Sequence, residues 1–427
     1  MQRCFILKNK HKIKNISVSN ILIYCFIVCM IIDFHTVWIH MPSIPWLDDF
    51  VLLIMTLTIM VSSITKGRYV LKKITECFGS ILIMTAYLIL FYLINSFNSY
   101  GSIRMLLQLI VISIYCYFVE ESLDDTLKRF SNVVSLIATI SLFFWVLGSL
   151  FSIIRPTGNF LLLWTGHPEY INSYFGVYFE AQRLVSSANF MGMTIIRNTA
   201  IFSEAPMASF IFSLGFLFEF FDSKRFFSKK SVVLILAIIS TFSTSGYTVV
   251  VFAFILKYLF LNINNKTEFQ FKLMVFPLVL IVSLIIVNYF ISQKLDTSSG
   301  ITRLDDFYAG FMAWKDNLIF GNGFGNEYAY QKYMSAFRRD NLGFSNSPML
   351  ILSYGGIYLF AFYLFSAIIG IYNALKNKDT KYICLFSIFL YMFTITCVPF
   401  LSLTYYIFFS MVCKNLNLIP LKGSSYT

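Results

Sequence analysis

The sequence predicts an all-α, polytopic integral membrane protein with about twelve transmembrane helices, and three observations carry that expectation. Of the 427 residues, 58% are hydrophobic and only 13% are charged, with a mean hydropathy of +0.72. That balance lies outside the range of soluble globular chains. Apolar runs recur along the chain, and a span needs roughly 20 such residues because lipid offers no partner to a bare backbone N–H or C=O. Only two long polar stretches interrupt the pattern, Arg155 to Glu204 and Ser292 to Asn346. Residues 1–427 therefore read as one membrane domain carrying two long loops.

In chain order the expected spans run Ile16 to Ile39, Phe50 to Thr65, Phe78 to Ser96, Ile103 to Val119, Phe130 to Ile154, Ala205 to Phe221, Val232 to Phe242, Tyr247 to Leu261, Leu273 to Ile291, Ser347 to Tyr372, Tyr382 to Val398 and Phe400 to Val412. The seventh and the last are short for a span. Ser243-Thr244-Ser245-Gly246 reads as the turn of a hairpin between the seventh and eighth, because serine and glycine favour turns over helix interiors.

Lys and Arg give the orientation. With the N-terminus in the cytoplasm, most of the 33 basic residues fall on inner segments, and those outside lie almost wholly in the two long loops. Both termini are then cytoplasmic and both loops lie on the opposite side. The net charge of +12 reports topology in this reading, not nucleic-acid binding. The basic start with Lys8, Lys10, Lys12 and Lys14 precedes an apolar run that meets Asp33 and His35 and lacks a small-residue cleavage site, so it is expected as an uncleaved first span. Neither loop contains a cysteine, and no Cys-x-x-Cys pair offers a metal site.

The chemistry concentrates in the two loops. Arg197-Asn-Thr-Ala-Ile-Phe202-Ser-Glu204-Ala-Pro206 stands where the first loop re-enters the membrane, with Pro206 in the first turn of the sixth span. Glu204 is there either a carboxylate at a helix N-terminus, or a partner of a loop arginine and a proton acceptor whose pKa the lipid boundary raises. In the second loop, Phe307, Phe311, Trp314 and Leu318 recur at helical spacing, with Asp305 or Thr302 as the N-cap. Such a helix lies on the membrane surface with its aromatic face down. The run Gly321-Asn322-Gly323-Phe324-Gly325-Asn326 follows no strand and matches no nucleotide fingerprint, so a tight turn is its expected use. Arg303, Arg338 and Arg339 stand near the membrane face, and a guanidinium grips phosphate oxygens through paired, charge-assisted bonds. For Arg339, lipid headgroups are an equal alternative. Arg104, Arg155 and Arg183 take no assigned role.

The order of Arg-x-x-Ala-x-Phe-x-Glu-x-Pro (Arg197 to Pro206), a Ser-Thr-Ser-Gly hairpin, and a loop with Arg303, Trp314 and Phe320-Gly-Asn-Gly-Phe324-Gly, ending in Ser345-Asn346-Ser-Pro, resembles the O-antigen polymerase and ligase superfamily. From Arg197 to Gly356 the resemblance rests on motifs, and before that on span count. It implies a membrane glycosyltransferase of the C type acting on undecaprenyl-diphosphate-linked glycans, donor and acceptor alike, at the outer face of a bacterial inner membrane. It also implies no nucleotide sugar, no cofactor and no metal, and as partners a chain-length regulator, a flippase and membrane lipids. Ligases of the superfamily resemble a His-Asn pattern before the following span. Ser345-Asn346 stands here instead, which favours polymerase over ligase.

The expected catalytic residues are Arg197, Glu204, Arg303 and Asp306, with Arg338, Arg339, Asp305, Trp314 and Asn346 binding substrate. Glu204, Asp305 and Asp306 are left as equal candidates for the base. A flippase or other transporter is the rival reading, but its polar residues should lie within the spans near the midplane.

Overall fold

The structure is a computed structural model that describes residues 18–413 apart from residues 67, 96, 120–121, 165–166, 182–186, 191–192, 224, 261–269, 271–273, 275–297 and 339–341. It is mostly helical (72%), with 13 helices among the described residues. In chain order these are α1 (Val18–Ile32), α2 (Leu47–Lys66), α3 (Arg68–Ile94), α4 (Ser99–Ile114), α5 (Leu123–Phe144), α6 (Ala205–Asp222), α7 (Lys229–Ser240), α8 (Thr244–Phe260), α9 (Ser298–Asp316), α10 (Tyr328–Gln331), α11 (Ser347–Lys376), α12 (Thr380–Ile395) and α13 (Ser402–Cys413). Each expected span overlaps a helix, though with shifted ends such as Ile32 in place of Ile39 for the first, except the ninth, Leu273 to Ile291, which apart from Met274 lies outside the described residues. Among the described residues α2, α6 and α11, together with α4 and α5 extended by their π-helical turns, are long and apolar enough to cross a membrane. The molecule is a membrane-embedded helical protein.

α6 is its pillar. In its spanning window 83% of residues are buried, against 22% to 50% in the other four, because α5, α7, α8 and α12 surround it. Gly215 lets α5 approach closely: a Cβ there would lie 2.7 Å from Val134. The outer helices instead expose apolar stripes, such as Leu53, Leu57, Met60 and Ile64 on α2 and Ile357, Leu364, Phe365 and Ile368 on α11. Helices that must face lipid show this pattern.

The helix ends follow local chemistry. Asn98 accepts from the Gly101 N–H at 2.9 Å to start α4, Ser228 and Ser231 form a capping box on α7, and Asn346 accepts from the Met349 N–H at 3.0 Å to start α11. Two expectations shift. The α7–α8 turn falls at Thr241–Ser243, with Phe242 left-handed at φ 48°, so Ser245 and Gly246 open α8 and do not make the turn. α9 begins at Ser298, so Thr302 and Asp305 lie inside the helix and neither caps it.

The first long loop, a polar stretch in an otherwise all-α expectation, contains β-structure. β1 (Gly158–Trp164), β2 (His167–Tyr174) and β3 (Tyr178–Glu180) form an antiparallel meander, and β4 (Ser187–Phe190) pairs with β5 (Met193–Ile196) in a hairpin. Leu162 and Ile171 face inward and pack with Phe179 against Val37 and Met41 of the α1–α2 connection. Glu180, buried, accepts from Ser149 Oγ and Asn172 Nδ2 at 2.8 Å each and from the Tyr174 hydroxyl at 3.0 Å, which ties the sheet to the end of α5.

α11 is broken in its middle. Gly356 takes φ 58° and ψ −158°, outside the helical region. A break within a membrane frees backbone groups that must find partners, and here the segment Leu318 to Gly323 supplies them. Ile357 and Tyr358 donate to the carbonyls of Leu318 and Ile319 at 2.9 Å each, while Asn322 and Gly323 donate to those of Ser353 and Tyr354 at 2.9 and 3.1 Å. The glycine run is thus a turn, as expected, docked against Gly355 and Gly356. Gly321 has φ +69°, and a Cβ on it would lie 2.5 Å from the Gly355 nitrogen; one on Gly356 would lie 2.3 Å from the Ile319 oxygen.

Gly321→Ala and Gly356→Ala should each lower stability by more than about 2 kcal/mol, through forced left-handed backbone and the clash together. Gly79→Ala, where a Cβ meets nothing within 4 Å, should not. Thermal unfolding of the detergent-solubilised variants measures this, and equal melting of all three would refute the account of the break.

Candidate functional site

The two loops meet beside the N-terminus of α6. Glu204 occupies the N-cap position with extended backbone, yet its side chain accepts no bond from the helix it precedes. It is therefore not the helix cap that its position suggested. Arg197 and Arg303, brought from the first loop and from α9, are half-buried and act on the Glu204 carboxylate and on each other. Arg197 Nε donates to the Thr241 carbonyl at 2.7 Å, and Arg303 Nη1 donates to the Ile395 carbonyl at 3.0 Å. Among the described residues, the remaining N–H groups of both guanidiniums donate to no protein acceptor.

Burial lowers the pKa of both arginines, and the attraction of Glu204 opposes it. Guanidinium remains charged regardless. Burial raises the pKa of Glu204, against the indole N–H of Trp164 and the charges of Arg197 and Arg303. Two cations facing one anion leave an excess positive charge in a partly dehydrated cleft. The hydroxyl-bearing rings of Tyr247 and Tyr391 lie close enough to feel Arg197 and Arg303 respectively. Three non-glycine residues with left-handed backbone border this place: His35 at φ 49°, Ala200 at φ 50° and Phe242 at φ 48°. Such strain persists only where surrounding structure enforces it, and it concentrates at functional sites.

The other expected site residues are arranged differently. Asp306 and Arg338 form a buried ion pair at 2.6 Å, with Arg338 1% and Asp306 0% exposed. The second oxygen of Asp306 accepts from the Ser345 N–H at 2.9 Å and from its hydroxyl at 2.6 Å. Burial pushes the Asp306 pKa up, and the Ser345 and Arg338 bonds oppose that rise. Arg338 also donates to the carbonyls of Thr302, at 3.2 Å, and Gly343. Asp305 accepts from the backbone N–H and hydroxyl of Ser335 and lies 3.5 Å from Arg338. These three residues bind the returning segment Ser335 to Ser345 onto α9, and their polar atoms are engaged within the chain. Asn346 is the α11 cap, and Trp314 Nε1 donates to the Leu318 carbonyl at 3.0 Å. Arg339 and Arg183 lie outside the described residues. Arg104 pairs with Asp33 at 3.3 Å and with Asp48, away from the cleft.

Sequence reasoning missed His35, His40, Trp164, Tyr247 and Tyr391. His35 was counted into the first span and His40 stands just beyond its expected end, whereas the helix ends at Ile32. The tyrosines sit within apolar runs where nothing marks them. Among the described residues no group of three His, Cys, Asp or Glu side chains is placed to hold a metal ion. The chain matches no protein-family model and no curated protein, so the resemblance in its motifs rests on those residues alone.

Asp306→Asn removes the nearer counter-charge of a buried guanidinium and leaves it Asp305 at 3.5 Å, so the change should cost up to about 3 to 5 kcal/mol. The variant should unfold far below the wild type in detergent, whereas Asn346→Ala, which removes a cap, should cost about 1 kcal/mol. Wild-type melting of the Asp306 variant would show that the pair does not hold the loop.

Proposed function

We propose that this protein is a membrane glycosyltransferase that polymerises undecaprenyl-diphosphate-linked oligosaccharide repeat units at the outer face of a bacterial inner membrane. The proposal includes the finer topology, about twelve spans with both termini cytoplasmic and both long loops periplasmic. One observation carries it: the convergence of Arg197 and Arg303 on the single carboxylate of Glu204, with guanidinium donors to spare. A cleft with that charge favours an anion, and a diphosphate offers oxygens that fit a guanidinium fork.

In this reading the acceptor's sugar hydroxyl gives its proton to Glu204 as its oxygen bonds to the donor's anomeric carbon. The bond from that carbon to the diphosphate oxygen breaks, and its electron pair leaves with undecaprenyl diphosphate. Arg197 and Arg303 stabilise the charge that develops on the departing oxygen. Glu204 is favoured as the base over Asp305 and Asp306, because those two already accept several bonds within the chain. The transporter alternative loses ground at α11: a broken helix marks many transporter sites, but here the freed backbone groups are bonded by the loop. Ser345, which stands where the ligase-like pattern has histidine, is bonded to Asp306, in keeping with polymerase over ligase.

Arg197→Ala and Arg303→Ala should each reduce polymer formation roughly ten- to a hundredfold, the rate equivalent of one lost charge-assisted bond. A glycan ladder from cells carrying each variant reads this. Loss of polymerase leaves single repeat units on the core, whereas bare core with lipid-linked polymer would identify a ligase, and unaltered ladders would remove the arginines from the mechanism.

Glu204→Gln should abolish polymerisation. The pKa of Glu204 is raised and the base must be ionised, so the wild-type rate should fall with acidity at a pH above the ordinary value of 4.5. A pH–rate profile flat through that range would exclude Glu204 as the base.

A further inference from the structure

We propose that Trp164 is a positioning residue for Glu204, its indole N–H directed at the carboxylate from the tip of the β1–β2 hairpin. This rests on the reading of Glu204 as the base.

Trp164 closes β1, and three observations set its ring. Its centroid lies 5.0 Å from His35 and 4.6 Å from His40, edge-on to both at 65° and 63°. The two imidazoles are stacked at 5.5 Å and joined by a 3.3 Å contact between His35 Nδ1 and His40 Nε2. The His35 carbonyl accepts from both the N–H and the hydroxyl of Ser203, at 3.0 and 2.6 Å. Ser203 directly precedes Glu204, so one corner of the chain registers both the ring clamp and the backbone of the carboxylate.

The indole N–H is buried and meets no acceptor at bonding distance. Buried tryptophan N–H groups usually find one. Glu204 lies beside it, is favoured in its charged form by that N–H, and its carboxylate does not cap α6. A bond from the indole N–H to the carboxylate would satisfy the donor. Burial depresses the His35 and His40 pKa values to about 3 and about 4, so both rings are neutral near pH 7 and clamp the indole without adding charge. The groups facing Glu204 are Arg197 from the first loop, Arg303 from α9, Trp164 from β1 and the Cys397 thiol after α12; Tyr247 of α8 and Tyr391 of α12 stand beyond the two arginines. Of these, the indole offers a hydrogen-bond donor without carrying charge, which suits it to aim the carboxylate while the guanidiniums engage a ligand.

The test uses the full-length, detergent-solubilised protein. Subtracting the emission of Trp164→Phe from that of the wild type isolates one of five tryptophans. That difference should change with pH through a transition that Glu204→Gln removes; the Glu204→Gln comparison leaves Trp164 in place and stands even if the Trp164 variant folds poorly. In polymerase assays, Trp164→Phe should move the acid limb of the pH–rate profile upward by about one pH unit, lowering kcat below it and leaving KM unchanged. A pH-independent emission, or an acid limb at the wild-type position, overturns the proposal. A Glu204-dependent transition together with full activity of Glu204→Gln would keep the Trp164–Glu204 contact and remove Glu204 from the chemistry.

Discussion

A bilayer leaves no backbone N–H or C=O without a partner, and this requirement organises the molecule around one place, the break at Gly356. The four backbone groups freed there are met by the segment Leu318 to Gly323. That segment continues directly from α9, which carries Arg303 on its half-buried side and Ile301, Leu304, Phe307 and Phe311 on its exposed one. Asn95, just past the end of α3, also donates to the Phe320 carbonyl, and Tyr87 and Tyr358 each donate to the other's carbonyl across a stacked ring pair. The break thus gathers α3, α9 and α11 into one joint. Arg303 owes its position to a helix interruption many residues away.

Charge in the structure divides into two kinds. Lys257 is buried with its ammonium on the carbonyls of Phe220, Ser223 and Arg225. Lys381 bridges Asp124 and Asp222, and Arg338 joins Asp306. In each of these the ion is matched by partners within the chain, and the consequence is architecture. Arg197, Arg303 and Glu204 differ, because the cations outnumber the anion and retain donors. Buried charge that the fold leaves unmatched points toward a ligand.

Much of this was legible in the sequence. Spans follow from apolar length, and the glycine run declares a turn because left-handed backbone selects glycine. The motif around Glu204 already offered a pairing of its carboxylate with a loop arginine, and Arg197 and Arg303 converge on it. What stayed hidden depends on tertiary contact. Asp306 and Arg338 look like any exposed pair until the returning loop buries them, since nothing local separates a structural ion pair from a binding one. The meander was concealed by its loose alternation: Leu162 and Ile171 turn inward, but Phe160, Leu163 and Tyr170 remain exposed. His35 and His40 were masked by the apolar run that surrounds them, since hydropathy does not show where α1 ends.

α6 carries a consequence for assembly. Of the five helices among the described residues that are long and apolar enough to cross a membrane, it has the lowest hydropathy, 1.3, and is also the most enclosed. Its Ser209 and Ser213 hydroxyls are buried without a partner among the described residues. A helix of that composition gains little from lipid alone, so its stable residence in the bilayer depends on neighbours. α5 precedes it in the chain, whereas α7, α8 and α12 emerge later from the ribosome. The pillar of the finished protein is therefore a helix most of whose enclosing neighbours, α7, α8 and α12, are synthesised after it.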